Sequence, residues 1–101
     1  MTTSQPEQPD QVFFDLADTF IELANHHTAK VGKGKASAAL SFAAARFNAF
    51  VAATSVTSGE ALRARQDEAI TYFSGQYRNM LQDNLTDWAD NFDAYRKPGP
   101  A

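Results

Sequence analysis

The sequence predicts an all-α protein, a small bundle of three helices whose third helix is either long or broken to give a fourth. Three observations lead to this fold class. Apolar residues recur at helical spacing in three successive stretches, no stretch alternates as a strand does, and the middle stretch is rich in alanine, the strongest helix former. The 101 residues fit a single helical domain over 10–95, between short disordered tails at 1–9 and 96–101.

The first predicted helix runs from Asp10 to Lys30. Asp10 stands at an N-cap position, Lys30 puts a cation in the last turn, and Gly32 suits a left-handed cap. Residues 30–35, KVGKGK, are predicted to form a solvated loop; a phosphate cradle is the alternative, although the P-loop spacing is absent. One face of this helix is apolar and comprises Phe13, Leu16, Ala17, Phe20, Leu23, Ala24 and His27.

The second predicted helix, Ala36–Thr54, organises the bundle. It is apolar nearly all round, which predicts neighbours on several sides and near-complete burial of Phe47 and Phe50. Its length also suits a bilayer span, but Arg46 near its middle and Asn48 disfavour that hypothesis.

Arg46 is the most informative polar residue of this helix. If it is desolvated, it needs a carboxylate partner, for which Asp18, Glu22, Asp67 and Glu68 are candidates. The favoured interpretation is an arginine that reaches the rim along its aliphatic stem, and an anion ligand is the alternative.

The third predicted helix begins at about Ser58, because Thr57 and Glu60 have capping-box spacing. Unbroken to Tyr95, it would be over about 50 Å long, more than its neighbours can cover. The sequence therefore predicts either a break near Gly75 or Asn84 or, preferably, a symmetric homodimer. The expected interface comprises Leu81, Leu85, Trp88, Phe92 and Tyr95.

Composition excludes several classes of function. A net charge of −3 argues against a general nucleic-acid binder, and the lack of cysteine excludes disulfides and thiolate metal sites. The N-terminus MTTSQPEQPDQ has no basic or apolar region of a secretory signal, so a cytoplasmic location is expected. No sequence signature pairs a nucleophile with a base, and we expect neither enzymatic activity nor a cofactor.

One helix face carries a possible metal site. Asp18, Glu22 and His26 are four residues apart, and inward carboxylates and histidines of bundles can hold two metal ions. The pattern occurs once and opposes the apolar face, so a solvated polar face is the favoured interpretation and no metal is expected. Of the adjacent histidines, His27 is predicted to border the core and His26 to face solvent.

Three segments, Phe13–Asn25, Ala36–Ala53 and Tyr72–Trp88, resemble a family of short proteobacterial proteins of unknown function. The resemblance covers most of 11–93 and is carried by core-packing residues. It implies a bacterial, cytoplasmic, all-helical protein, without an activity or site residues. The expected function is therefore a small interaction or adaptor module that works through apolar helix surface. A metal-binding helical protein or enzyme that uses Asp18, Glu22 and His26 is the alternative.

Overall fold

The computed structural model describes residues 9–96, in which no strand occurs, so the predicted all-α class is confirmed. The predicted tails, 1–9 and 96–101, lie outside these residues except for Pro9, which opens the first helix, and Arg96, which follows the last. The helices are α1 (Pro9–Val31), α2 (Lys33–Ala53), α3 (Gly59–Ala64), α4 (Gln66–Asp90) and α5 (Phe92–Tyr95).

The chain divides into two compact units at the boundary between Phe47 and Asn48. The N-terminal unit contains α1 and most of α2. The C-terminal unit contains the end of α2 and the helices α3, α4 and α5. Each unit is described by itself below.

A single glycine connects α1 to α2. Gly32 has a φ of 90°, and its N–H donates to the Thr28 carbonyl at 2.9 Å, so the predicted glycine cap is confirmed. The predicted loop over 30–35 is wrong, because α2 already begins at Lys33. Glycine inside a helix costs only about 0.5–1 kcal/mol relative to alanine, and the first turn of α2 therefore accommodates Gly34.

The C-terminal unit turns the chain between α2 and α3 over residues 54–58. The hydroxyls of Thr54 and Ser55 donate to the carbonyls of Val51 and Ala52 at 2.6 and 2.7 Å, which ends α2 in a local turn. Ser58 then caps α3, since its Oγ accepts the N–H of Ala61 at 3.0 Å. The start predicted near Ser58 is confirmed.

The third predicted helix is interrupted, but at neither of the two predicted positions. The chain leaves helical geometry at Arg65 and at Asn91, and α4 runs without interruption through Gly75 and Asn84. The Asn84 side chain donates to the Met80 carbonyl at 2.8 Å within α4, so it does not start a new helix. A lone glycine lowers helix stability without breaking a helix, which explains the continuity at Gly75.

Burial is small throughout residues 10–96, where Ala36 is the one buried residue. Phe47 and Phe50 are 62% and 60% exposed, so the prediction of their near-complete burial is wrong. A helical hairpin needs a loop of about two to five residues, and one glycine does not let α1 lie antiparallel along α2. The N-terminal unit therefore lacks the packing that the predicted bundle requires.

Candidate interaction surfaces

The C-terminal apolar cluster lies on the last turns of α4 and on α5. Its members are between 41% and 60% exposed. A continuous apolar surface of this kind is typical of a binding site for another chain. The cluster comprises the five residues predicted as an interface: Leu81, Leu85, Trp88, Phe92 and Tyr95.

Hydrogen bonds to the Asp87 side chain join the two helices that carry this cluster. Its Oδ2 accepts the Tyr95 hydroxyl at 3.0 Å, and its Oδ1 accepts the Asn91 side-chain N–H at 3.1 Å. The same Asn91 side chain donates to the Asp87 carbonyl at 2.9 Å. The Trp88 and Tyr95 rings meet edge to face, 4.9 Å apart and at 73°. These bonds fix α5 against α4 and order two aromatic rings before any partner arrives.

The same contacts set the ionisation of Tyr95. The hydrogen bond to Asp87 raises the pKa of the Tyr95 phenol above its ordinary value of 10.0, and the negative charge of that carboxylate acts in the same direction. Tyr95 is therefore a neutral donor across the physiological pH range, and its bond to Asp87 is retained there.

The N-terminal apolar face lies on α1. Its large side chains, Phe13, Leu16, Phe20 and Leu23, are 54–59% exposed, and its small residues Ala17 and Ala24 are half-buried. Together these six residues are the N-terminal apolar face. The predicted amphipathic pattern of α1 is present, but no neighbouring helix of the N-terminal unit covers it.

A shallow groove of about 270 Å³ lies in the C-terminal unit. The end of α2, α3 and the first turns of α4 all contribute to its lining. The groove was not predicted from the sequence, because it forms only when residues 54–58 turn the chain. The hydroxyl residues of that segment were the one sequence signal of the turn. Its apolar lining includes Val51, Ala52, Leu62, Ala69, Tyr72 and Phe73.

The residues of the metal hypothesis lie exposed along α1. No group of three or more histidine, aspartate or glutamate residues in 9–96 is placed to hold a metal ion. His27 is also exposed rather than at a core border, since no other helix of the N-terminal unit buries it, and its ring meets that of His26 at 5.4 Å.

Arg46 is exposed, and its guanidinium lies over the Phe42 ring at 4.9 Å from the centroid. This is a cation–π contact between residues one helical turn apart. Since Arg46 is not desolvated, the condition under which it would need a carboxylate partner is not met.

The helix α2 is the one helix of residues 9–96 that is long and apolar enough to cross a membrane, by length and composition only. Core helices of soluble proteins and signal sequences near an N-terminus meet the same criteria.

The family described as "Protein of unknown function (DUF3144)" matches residues 13–89, from the start of the N-terminal apolar face into the last turn of α4. The chain belongs to this family. No curated protein and no solved structure matches the chain. The predicted resemblance to a family of unknown function is thus confirmed for this DUF3144 protein, whereas its bacterial origin stays a prediction.

Proposed function

We propose that this DUF3144 protein is a cytoplasmic protein–protein interaction module that self-associates as a homodimer through apolar helix surface, with the C-terminal apolar cluster in the interface. One observation carries the proposal. Twenty-two large apolar side chains are exposed in the described part of the chain, whereas the small residue Ala36 is the one buried residue there. Hydrophobic burial is the main force that offsets the entropy of ordering a chain, and a second chain is the source of the burial that is missing here.

The size of the C-terminal apolar cluster is sufficient for such an interface. A buried aromatic side chain removes roughly 150–250 Å² from water, so each half-exposed member offers about 100 Å². The five members then offer roughly 500 Å² per chain, or about 1,000 Å² across two copies, which is the lower limit for a specific interface. A twofold axis would bring identical patches together.

The negative charge around the C-terminal apolar cluster favours a protein as the molecule that binds it. Asp83, Asp87, Asp90 and Asp93 lie among its members, and two cations flank them, Arg78 before the cluster and Arg96 after it. Anionic lipid and nucleic acid would both be repelled by this acidic surface. No observation on the described residues favours the alternative metal or enzyme function, because Asp18, Glu22 and His26 lie along one exposed helix face.

The proposal is tested by the mass of the protein in solution. Light scattering at micromolar concentration should give twice the 11.1 kDa of one chain. Trp88→Asp should raise the dissociation constant of the dimer, because an unpaired charge would be buried at the interface. Asn79→Asp is the matched control, since about two and a half turns of α4 separate it from Trp88 and place the same new charge on the opposite side.

Each outcome bears on a different part of the proposal. A wild-type mass of 11.1 kDa would contradict self-association. A dissociation constant that Trp88→Asp leaves unchanged would contradict the role of the C-terminal apolar cluster. Dissociation in both variants would point to net charge rather than to this surface.

A further inference from the structure

We propose that the two copies of the homodimer exchange α1, so that the N-terminal apolar face of one copy packs on α2 of the other, with Gly32 as the hinge. The inference rests on the proposed self-association and names the segment that each copy receives. Four independent features of the N-terminal unit support it: the connection, the two surfaces, their charges and their area.

The connection prevents α1 from covering its own α2. Gly32 is the single residue between the two helices, and both of its backbone groups are engaged. Its N–H donates to the Thr28 carbonyl at 2.9 Å, and its carbonyl accepts the Ala36 N–H at 3.1 Å. No residue is left to form the loop of about two to five residues that an antiparallel pair needs. Short hinges of this kind favour exchange between copies.

The surfaces of α1 and α2 suit one another. The N-terminal apolar face is one-sided and carries large side chains, whereas α2 is apolar nearly all round and has alanine at nine of its 21 positions. A helix of that kind normally has neighbours on several sides, and its small side chains allow a close approach by another helix. Leu40 and Phe42 of α2 are 39% and 61% exposed, so this helix too has apolar surface to be covered.

Charge favours pairing α1 with α2 over pairing either helix with itself. The helix α1 carries four carboxylates and one lysine, a net charge of −3 with neutral histidines. The helix α2 carries Lys33, Lys35 and Arg46 and no carboxylate, a net charge of +3. Two copies of α1, or two of α2, would repel each other, while α1 and α2 from different copies attract.

The apolar area that the exchange of α1 would bury is that of a stable dimer. Phe13, Leu16, Phe20 and Leu23 each offer roughly 100 Å², about half of what a fully buried large side chain removes from water. An exchanged dimer contains two such faces and the two α2 surfaces that cover them. The total is about 1,600 Å², the standard size of a specific protein–protein interface.

Lengthening the hinge tests the exchange. Insertion of Gly-Ser-Gly-Ser-Gly after Gly32 gives α1 the loop that it needs to fold back on its own α2, where its effective concentration reaches the millimolar range. Sedimentation equilibrium of the full chain should show a dissociation constant of the dimer at least about 10-fold higher than that of the wild type, with the helical circular dichroism retained. The same five residues inserted between Val56 and Thr57 are the control, because that connection is already five residues long and the dimer should persist.

The outcomes separate the exchange from the proposed function. A wild-type dimer whose dissociation constant is unchanged by the insertion after Gly32 would overturn the exchange and leave self-association standing. A wild-type monomer would overturn both. A second variant with three inserted residues accompanies the first. Loss of helical signal in both would also overturn the exchange, since each lengthened chain should cover its own α1.

Discussion

The two units of this protein differ in how their helices are connected. In the C-terminal unit, residues 54–58 turn the chain, and the end of α2, α3 and α4 line one groove in which Leu62 and Phe73 are half-buried. In the N-terminal unit Gly32 alone separates two long helices, and every large apolar side chain of α1 stays exposed. Both units contain amphipathic helix, so apolar content does not explain the difference. The five-residue turn after α2 lets the chain half-bury Leu62 and Phe73, whereas the single residue before α2 leaves the large side chains of α1 exposed.

A substitution at Phe20 is expected to have the largest effect, and it tests most directly whether α1 is covered by a second chain. If a second chain covers the N-terminal apolar face as proposed, Phe20→Asp should bury an unpaired charge and raise the dissociation constant of the dimer by at least about 100-fold. Sedimentation equilibrium measures this. Asn25→Asp, on the exposed polar side of α1, is the control and should change stability by less than about 0.5 kcal/mol. Equal effects of the two variants would show that the face is not covered.

Substitutions at Gly32 and Gly34 test whether the connection between α1 and α2 is a single residue. Gly32 has a φ of 90°, so Gly32→Ala should lower the free energy of unfolding by about 1–2 kcal/mol through backbone strain. Gly34 lies inside α2, and Gly34→Ala should raise it by about 0.5–1 kcal/mol. An added Cβ meets nothing within 4 Å at either position, so steric overlap does not enter. Urea denaturation that gave the same sign for both would contradict the single-residue hinge.

Ser58 tests the corresponding connection of the C-terminal unit. Ser58→Ala removes the oxygen that accepts the Ala61 N–H and should cost about 1 kcal/mol in urea denaturation. Thr57→Ala is the control, because Thr57 precedes the cap, and a change of less than about 0.5 kcal/mol is expected. A larger loss at Thr57 than at Ser58 would place the cap one residue earlier.

Tyr95 gives the smallest effect and concerns contacts inside the C-terminal unit. Its pKa is raised in the folded chain, so the hydrogen bond to Asp87 contributes to stability below the ordinary pKa of 10.0, and the contribution is lost as pH rises through the folded pKa. Asp87→Asn should lower the pKa of Tyr95 in an ultraviolet absorbance titration. Asp83→Asn, one turn earlier in α4, should not. A titration of Tyr95 that both variants leave unchanged would exclude the bond to Asp87.

Local features of the fold were predictable from sequence. The predicted α1, Asp10–Lys30, differs from the observed helix by one residue at each end, and the cap at Gly32 follows from glycine's freedom at positive φ. The five residues of the C-terminal apolar cluster lie on α4 and α5 and are exposed, and their role as an interface stays a prediction. Each of these predictions depends on residues close together in the chain.

Features that depend on where helices meet were not predictable. The three lysines and two glycines of 30–35 are typical of a loop, but Gly34 takes helical geometry inside α2. Without that loop α1 does not fold back along α2, and the burial expected for Phe47 and Phe50 is absent. The break at Asn91 lacks glycine and proline. The sequence signal of this break is the four-residue spacing of Asp87, Asn91 and Tyr95. The spacing alone does not predict the break, because the hydrogen bonds that join these side chains are seen only in the structure.

The single-residue connection at Gly32 also bears on how long a chain survives after synthesis. If α1 is covered only by a second copy, a newly made chain remains open to proteases until it meets another, and the waiting time shortens as more chains accumulate. Scarce chains are then degraded while abundant ones persist, so the level of the protein responds more steeply than in proportion to its rate of production. A single glycine would in this way make the lifetime of each molecule depend on the number of molecules around it.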